Sequence, residues 1–327
     1  MKTEDTTVPD ILKKLARSLG TEIKDKKLEI PPQSGSGYCT GFVFNKNIRM
    51  MISNYELHED ISLENSDREE GKRMIFFKFQ NIFSQPESLP SAKNVREMPS
   101  VLMATSRINT DEVITIHSNT GTITIEADAE YLNGLFYAPD QSPLLKSLLE
   151  NSQPYLFEQL IDPVLQSIVS EMLSEPVDET FKLFFMRVKA EELICRLLMA
   201  LEKRNEKHLY PLNVQDVETI YKIREMMLEH LEIPPLTGNL AAKAGMSPTK
   251  LKRLFKQIFG DSLFSYYQEF RMKEAAFLLK ENKYSVSEVG YKLGFTNLSH
   301  FSKIFKEHTG INPKKYSLAD LSKSTTK

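Results

Sequence analysis

Leu240 to Tyr266 reads LAAKAGMSPTKLKRLFKQIFGDSLFSY, and Val289 to Tyr316 reads VGYKLGFTNLSHFSKIFKEHTGINPKKY. Aligned, the two stretches keep a lysine, a glycine, a late phenylalanine followed by lysine, a second glycine and a tyrosine. In the first these are Lys243, Gly245, Phe255, Lys256, Gly260 and Tyr266; in the second, Lys292, Gly294, Phe305, Lys306, Gly310 and Tyr316. The stretches start 49 residues apart and their late glycines lie 50 apart, so the second carries one extra turn residue.

Each copy predicts two helices around a tight corner. In the first, Leu240, Ala241 and Ala244 give a short helix, and Gly245 can take the positive φ that ends it. Ser247 is an N-cap, with Pro248 at the first helical position, where its missing N–H costs nothing. Leu251, Leu254, Phe255, Ile258 and Phe259 then bury one face, leaving Thr249, Lys250, Lys252, Arg253 and Lys256 on the other. The second copy repeats the plan with Val289, Leu293, Gly294 and Phe295, then Asn297 as cap. Phe301, Ile304 and Phe305 turn inward, while Ser299, His300, Lys303 and Lys306 turn outward. A supported helix presenting such side chains near its N-terminus is what reading the DNA major groove requires. Between the copies, Ser262 to Lys280 forms one long periodic run able to hold two such readers about one DNA turn apart, near 34 Å.

Charge divides the chain in the same place. From Leu236 to Lys327 there are 16 Lys and Arg against 7 Asp and Glu, a net of +9, while the remainder carries −11 and the whole only −2. A basic end draws phosphate through counterion release. The acidic remainder is not expected to touch DNA.

At this point the chain resembles the AraC/XylS family of bacterial transcription regulators, from about Asp216 to Leu318, most specifically in VSEVGYKLGFTNLSHFSKIFKEHTGINPKKY. The resemblance implies a seven-helix domain with two helix-turn-helix motifs, at about 236–260 and 286–310, whose recognition helices enter successive major-groove segments. Carried over residue by residue, base-facing positions fall on Thr249, Lys252 and Arg253 in the first reader and on Ser299, His300 and Lys303 in the second. Phosphate-facing roles fall on Ser247, Lys250, Lys256 and Lys306. Thr249 and Lys252 stand where some members carry a large aromatic or a glutamine, so a relative's target sequence does not transfer.

The first 140 residues have another texture. After an amphipathic helix from Asp10 to Leu19 come YCTGFVF, IRMMISNYEL, RMIFFKFQ, VLMATSRI, DEVITIHS and GTITIEA, each of strand length and rich in β-branched and aromatic residues. These predict a barrel or sandwich. From Pro143 the period turns helical, with helices over Leu156–Leu173 and Glu179–Lys203. The expected plan is α+β: a β-rich sensor over 1–140, which the family resemblance makes a small cupin-like barrel; a helical dimerisation and linker region over 141–210; and an all-α double reader over 211–327.

Alternate strand positions would place Phe42, Phe44, Phe77 and Phe79, or Ile114 and Ile116, in a ligand cavity or simply fill it. Arg49, Arg73 and Arg107 could meet an anionic ligand. On the second long helix, Val188, Glu191, Ile194, Leu198 and Leu201 offer a seam, either for packing within the chain or, as the resemblance favours, for a second copy in an antiparallel pair.

Other chemistry finds little footing. GSGYCTG lacks the lysine and following helix of a phosphate cradle. His58 and His117 are isolated, so neither a metal site nor a cofactor is expected. Cys39 and Cys195 are the only cysteines; Cys195, within LICRLL, reads as a buried small hydrophobe, and Cys39 as a residue with some prospect of sensing thiol chemistry. Their scarcity suits a reducing cytoplasm, and no apolar run approaches the length that spans a bilayer.

The expectation is therefore a cytoplasmic DNA-binding regulator rather than an enzyme. Its partners would be double-stranded DNA, a small-molecule effector, a second copy and RNA polymerase. The stretch TKLKRLFKQIFG resembles the branch of the family that regulates siderophore-receptor genes, which implies a ferric siderophore as effector. The alternative is a constitutive regulator whose N-terminal part only dimerises or contacts another protein.

Overall fold

The computed structural model describes residues 7–64, 73–83, 98–105, 113–116, 119–135, 142–151, 153–204, 209–210, 212–281 and 283–319. These form two compact units that divide between Asn213 and Val214. Among them no helix is long and apolar enough to cross a membrane.

The first unit opens with α1 (Asp10–Ser18) and runs through β1 (Ile23–Lys24), β2 (Lys27–Glu29), β3 (Gly35–Asn45), β4 (Ile48–Leu57), β5 (Ile61–Glu64), β6 (Met74–Gln80), β7 (Ser100–Thr105), β8 (Val113–Ile116) and β9 (Asn119–Asp128). After α2 (Ala129–Leu135) and α3 (Pro143–Glu150) comes β10 (Leu156–Leu160), then α4 (Pro163–Ser174) and α5 (Glu179–Glu202). Eight strands pair antiparallel in the order β1-β2-β3-β4-β9-β6-β7-β10, and β5 pairs with β8 in a separate ribbon.

Among the described residues this sheet does not close. A barrel needs its first and last strands paired, and here β1 and β10 are opposite edges. The expected cupin-like barrel is thus an open sheet with both faces used. On one face Phe42, Met50, Ile52, Phe77, Phe79, Met103 and Phe157 share a core with α3, α4 and α5. On the other, Leu28, Cys39, Tyr55 and Leu57 pack with Leu12 and Leu15 of α1. Gly41 is required there, because a Cβ would stand 2.6 Å from the Pro9 ring.

One expectation for the helical block changes. Leu156–Leu160 is not the start of a helix: it adds to the sheet edge beside β7, burying Leu156, Phe157 and Leu160. The helix begins only at Pro163, capped by the Asp162 carboxylate, which accepts from the Leu165 N–H at 2.9 Å. Helices α3, α4 and α5 share one continuous core with the sheet.

Among the described residues the second unit contains seven helices: α6 (Val214–Leu228), α7 (Thr237–Lys243), α8 (Pro248–Phe259), α9 (Leu263–Lys280), α10 (Val286–Lys292), α11 (Leu298–Thr309) and α12 (Pro313–Ala319). At 18 residues, α9 is about 27 Å long, and it packs with α6 and α8 on one side and with α10, α11 and α12 on the other.

Candidate nucleic-acid interface

The two repeats fold to the same local geometry. Gly245 and Gly294 hold positive φ of 61° and 78° at the corners, and Gly260 and Gly310, at φ 79° and 80°, end the second helices. At the start of α8 the Ser247 hydroxyl accepts from the Lys250 N–H at 3.2 Å. At the start of α11 the Asn297 side-chain oxygen accepts from the His300 N–H at 3.1 Å. Each such cap contributes about 1 kcal/mol and fixes where the reading helix begins. Behind each helix an edge-to-face ring pair locks the closing helix, Phe255 on Tyr266 at 5.5 Å and 83°, Phe305 on Tyr316 at 5.4 Å and 84°.

Burial of the inner faces decides what is presented outward. Leu251, Leu254, Phe255, Ile258 and Phe259 are buried in α8, and Phe301 and Phe305 in α11. The expected base-facing residues Thr249, Lys252, Arg253, Ser299, His300 and Lys303 are all exposed, as are Ser247, Lys256 and Lys306. The His300 ring is steadied against Phe295, 6.0 Å away. Lys250 is the exception: half-buried, its ammonium lies 2.9 Å from the Asp216 carboxylate at the head of α6. Any phosphate contact from Lys250 must compete with that pair.

One feature of the domain carries little signal in the sequence. Arg271, flanked by Phe270 and Met272, is buried. Its guanidinium donates to the Leu293 carbonyl at the corner of the second motif and lies over the rings of Phe295 and Tyr267, at 4.0 and 5.1 Å. Burial lowers its pKa from the usual arginine value.

Residues 240–318 match the helix-turn-helix domain family. A solved transcriptional regulator with an AraC-type DNA-binding domain, from Chromobacterium violaceum, is 30% identical, the likeness covering 32% of this chain and 95% of that one with a TM-score of 0.30. The C-terminal unit is an AraC-type domain. The DNA-binding domain of AdpA, solved in complex with a target DNA, is 27% identical, covering 33% of this chain and 98% of that one with a TM-score of 0.31. Beyond the AraC-type domain, the regulatory protein PchR of Pseudomonas aeruginosa is 28% identical over 185 residues, which is 50% of this chain and 62% of that protein. The chain thus matches less than two thirds of that relative's length.

In the first unit the expected sites move. Phe77 and Phe79 are fully buried in the core and Phe44 packs against it, stacking at 6.1 Å on Phe42, which is itself buried but also forms part of the wall of a cleft. Arg49 is held by Glu126 at 2.6 Å, and Arg73 donates to the Glu150 carbonyl at 3.1 Å. Arg107 and His117, and the side chains of Ile114 and Ile116, lie outside the described residues. That open cleft, of about 710 Å³, has Tyr38, Thr40, Phe42, Ile52, Met172 and Met186 among its walls and Lys24, Lys27 and Lys182 along it. Its lysines are partly neutralised: Lys27 meets Glu29 at 2.9 Å and Lys182 meets Glu179 at 2.5 Å.

On α5, Ile194, Leu198 and Leu201 are buried in the chain's own core, and Glu191 bonds Tyr131 and Arg187, each at 3.0 Å. Of the expected seam only Val188 is available. The exposed apolar stripe is instead Phe181, Phe184, Val188 and Met199, and it includes Cys195, exposed rather than buried as its neighbours suggest. Cys39 is buried beside Ser53, and burial pushes its thiol up to about 12, which keeps it protonated and unreactive.

Proposed function

We propose that the chain is a transcription regulator that binds double-stranded DNA through two recognition helices, α8 and α11, reading a bipartite site. One observation carries this reading: two repeats of one sequence adopt matching corners, caps and ring locks, and each leaves a polar and basic helix face exposed. Base discrimination would come from Thr249, Lys252 and Arg253 in one half and Ser299, His300 and Lys303 in the other. Lys252 or Arg253 on guanine O6 and N7 is the strongest single contact available, because a cationic donor there meets two acceptors. Ser247, Lys256 and Lys306 would hold phosphate.

In this proposal the first unit supplies dimerisation and control. The exposed stripe of α5 would pair with the same helix of a second copy, since so much solvent-facing apolar surface on one helix marks an interaction face. A small-molecule effector would occupy the open cleft, whose volume falls in the range of ligand sites. The likeness to regulators of siderophore-receptor genes makes a ferric siderophore the first candidate to test, and RNA polymerase the expected downstream partner. The constitutive alternative draws support from the filled core around Phe77 and Phe79, which takes up space first expected to hold a ligand.

Selection of preferred sites from random duplexes, with and without an extract of iron-starved cells, tests both parts. A bipartite site sharpened by the extract supports regulation by an effector. A bipartite site unchanged by it favours the constitutive reading, and the absence of any preferred site overturns DNA reading.

A further inference from the structure

The two readers are fastened to each other by something besides α9. Leu231, in the segment between α6 and α7 and so belonging to the first reader, packs against the second reader's core. The next residue, Glu232, lies against the corner of the second motif: a Cβ on Gly294 would stand 2.2 Å from the Glu232 carbonyl oxygen. Tyr267 donates its hydroxyl to the Leu231 carbonyl at 2.7 Å. One helical turn on, Arg271 stacks on Tyr267 and donates to the Leu293 carbonyl, while Phe295 closes over its other side. Together these residues tie the entry of one motif to the corner of the other.

The arrangement is not repeated in the first motif. Around Gly245 nothing lies within 4 Å of where a Cβ would sit, so that corner is open where the Gly294 corner is seated. The asymmetry separates this feature from what each motif needs to fold. A helix-turn-helix corner closes without such a tie, as the first one does.

We propose that Arg271 and Tyr267 are positioning residues that set the separation and helical phase of the two readers, and thereby determine which spacing between half-elements of a DNA site the chain accepts. This rests on the two-reader function proposed above. One base pair displaces an element by about 3.4 Å along the duplex and about 35° around it. A rigidly held second reader cannot follow that shift. A reader held by α9 alone can partly follow it by rotating about the helix end.

The test uses the full chain and its selected bipartite duplex, with the spacer shortened or lengthened by one base pair. Wild type should lose about tenfold or more in affinity at either altered spacer, the loss of a base-reading pair. Arg271→Leu should bind the optimal duplex more weakly and lose less than about threefold more on the altered ones, flattening the profile. Tyr267→Phe removes only the hydroxyl bond and should flatten it partly, which keeps the test decisive if the leucine variant does not fold. General destabilisation lowers binding on all three duplexes alike, so parallel profiles in folded variants overturn the proposal while leaving two-reader binding intact. A wild-type chain indifferent to spacing also overturns the proposal, whereas the absence of any preferred bipartite site overturns the two-reader function itself.

Discussion

Gly245 and Gly294 occupy equivalent corners with similar positive φ, yet their replacement by alanine should have unequal consequences. At Gly245, with φ at 61° and open space around the missing Cβ, the cost is left-handed backbone strain alone, about 1–2 kcal/mol. At Gly294 the same strain is joined by a Cβ that would stand 2.2 Å from the Glu232 carbonyl oxygen and 2.8 Å from its Cα. Backbone cannot swing aside as a long side chain would, so the corner must shift, adding about 1–3 kcal/mol by analogy with an overpacked core. The difference should therefore be about 2 kcal/mol, and at about 1.4 kcal/mol per decade it corresponds to about thirtyfold in local opening. Native-state hydrogen exchange followed by peptide mass spectrometry reads this segment by segment. Gly294→Ala should accelerate exchange in α10 and α11 about thirtyfold more than Gly245→Ala accelerates it in α7 and α8. Equal acceleration at the two corners would refute the claim that the second is seated on the first reader's backbone.

Asp216→Asn should free Lys250 for phosphate, tightening DNA binding and steepening the plot of log affinity against log salt by about one unit; an unchanged slope would show that Lys250 does not reach the backbone. Asn297→Ala should cost about 1 kcal/mol in the second reader while Asn297→Ser costs little, measured by exchange protection of α11; equal losses would mean that the cap bond contributes nothing. If α5 pairs two copies, Phe184→Glu should give a folded monomer by sedimentation, whereas Leu198→Glu, at a buried position, should unfold the first unit; a Phe184→Glu dimer as tight as wild type would exclude that stripe. Native protein at pH 8 should be alkylated at Cys195 and not at Cys39. The Cys39 thiol is held near 12 against an ordinary 9.0, so the unfolded chain gives up that proton first. The first unit should lose stability as pH climbs through that interval, and Cys39→Ala should lessen the loss.

The reading domain was legible because its instructions are local. A glycine at a corner, a serine or asparagine before the next helix, and five apolar residues at helical spacing all lie within one repeat, and a second copy checks the register. The open sheet was not legible for the opposite reason. Each strand from YCTGFVF to GTITIEA announces itself by composition, but whether β1 meets β10 depends on pairings between segments more than a hundred residues apart. Leu156–Leu160 shows the same limit: its apolar run suits a helix or a buried edge strand, and only the partner β7 decides. On α5 the trouble was excess, since a helix apolar around most of its circumference cannot say which side meets its own sheet. That is why Ile194, Leu198 and Leu201 read as a seam but lie in the core.

Arg271 shows how a repeat can conceal as well as reveal. Alignment of the two copies draws the eye to what they share, which is what each motif needs to close by itself. What joins the motifs must break the symmetry: Leu231 and Glu232 precede the first copy, Tyr267 and Arg271 lie between the copies, and only the second corner receives them. The arginine in FRMKEAAFLL stands between Phe270 and Met272 on a helix that periodicity alone assigns to spacing. Burial of a guanidinium is costly unless it is bonded, and Arg271 is bonded to the Leu293 carbonyl and Gln268 and covered by two rings. A charge bonded in this way between the two motifs fits a requirement on their relation, beyond the folding of either, and this is why a spacer series, more than a stability measurement, can reveal what it does.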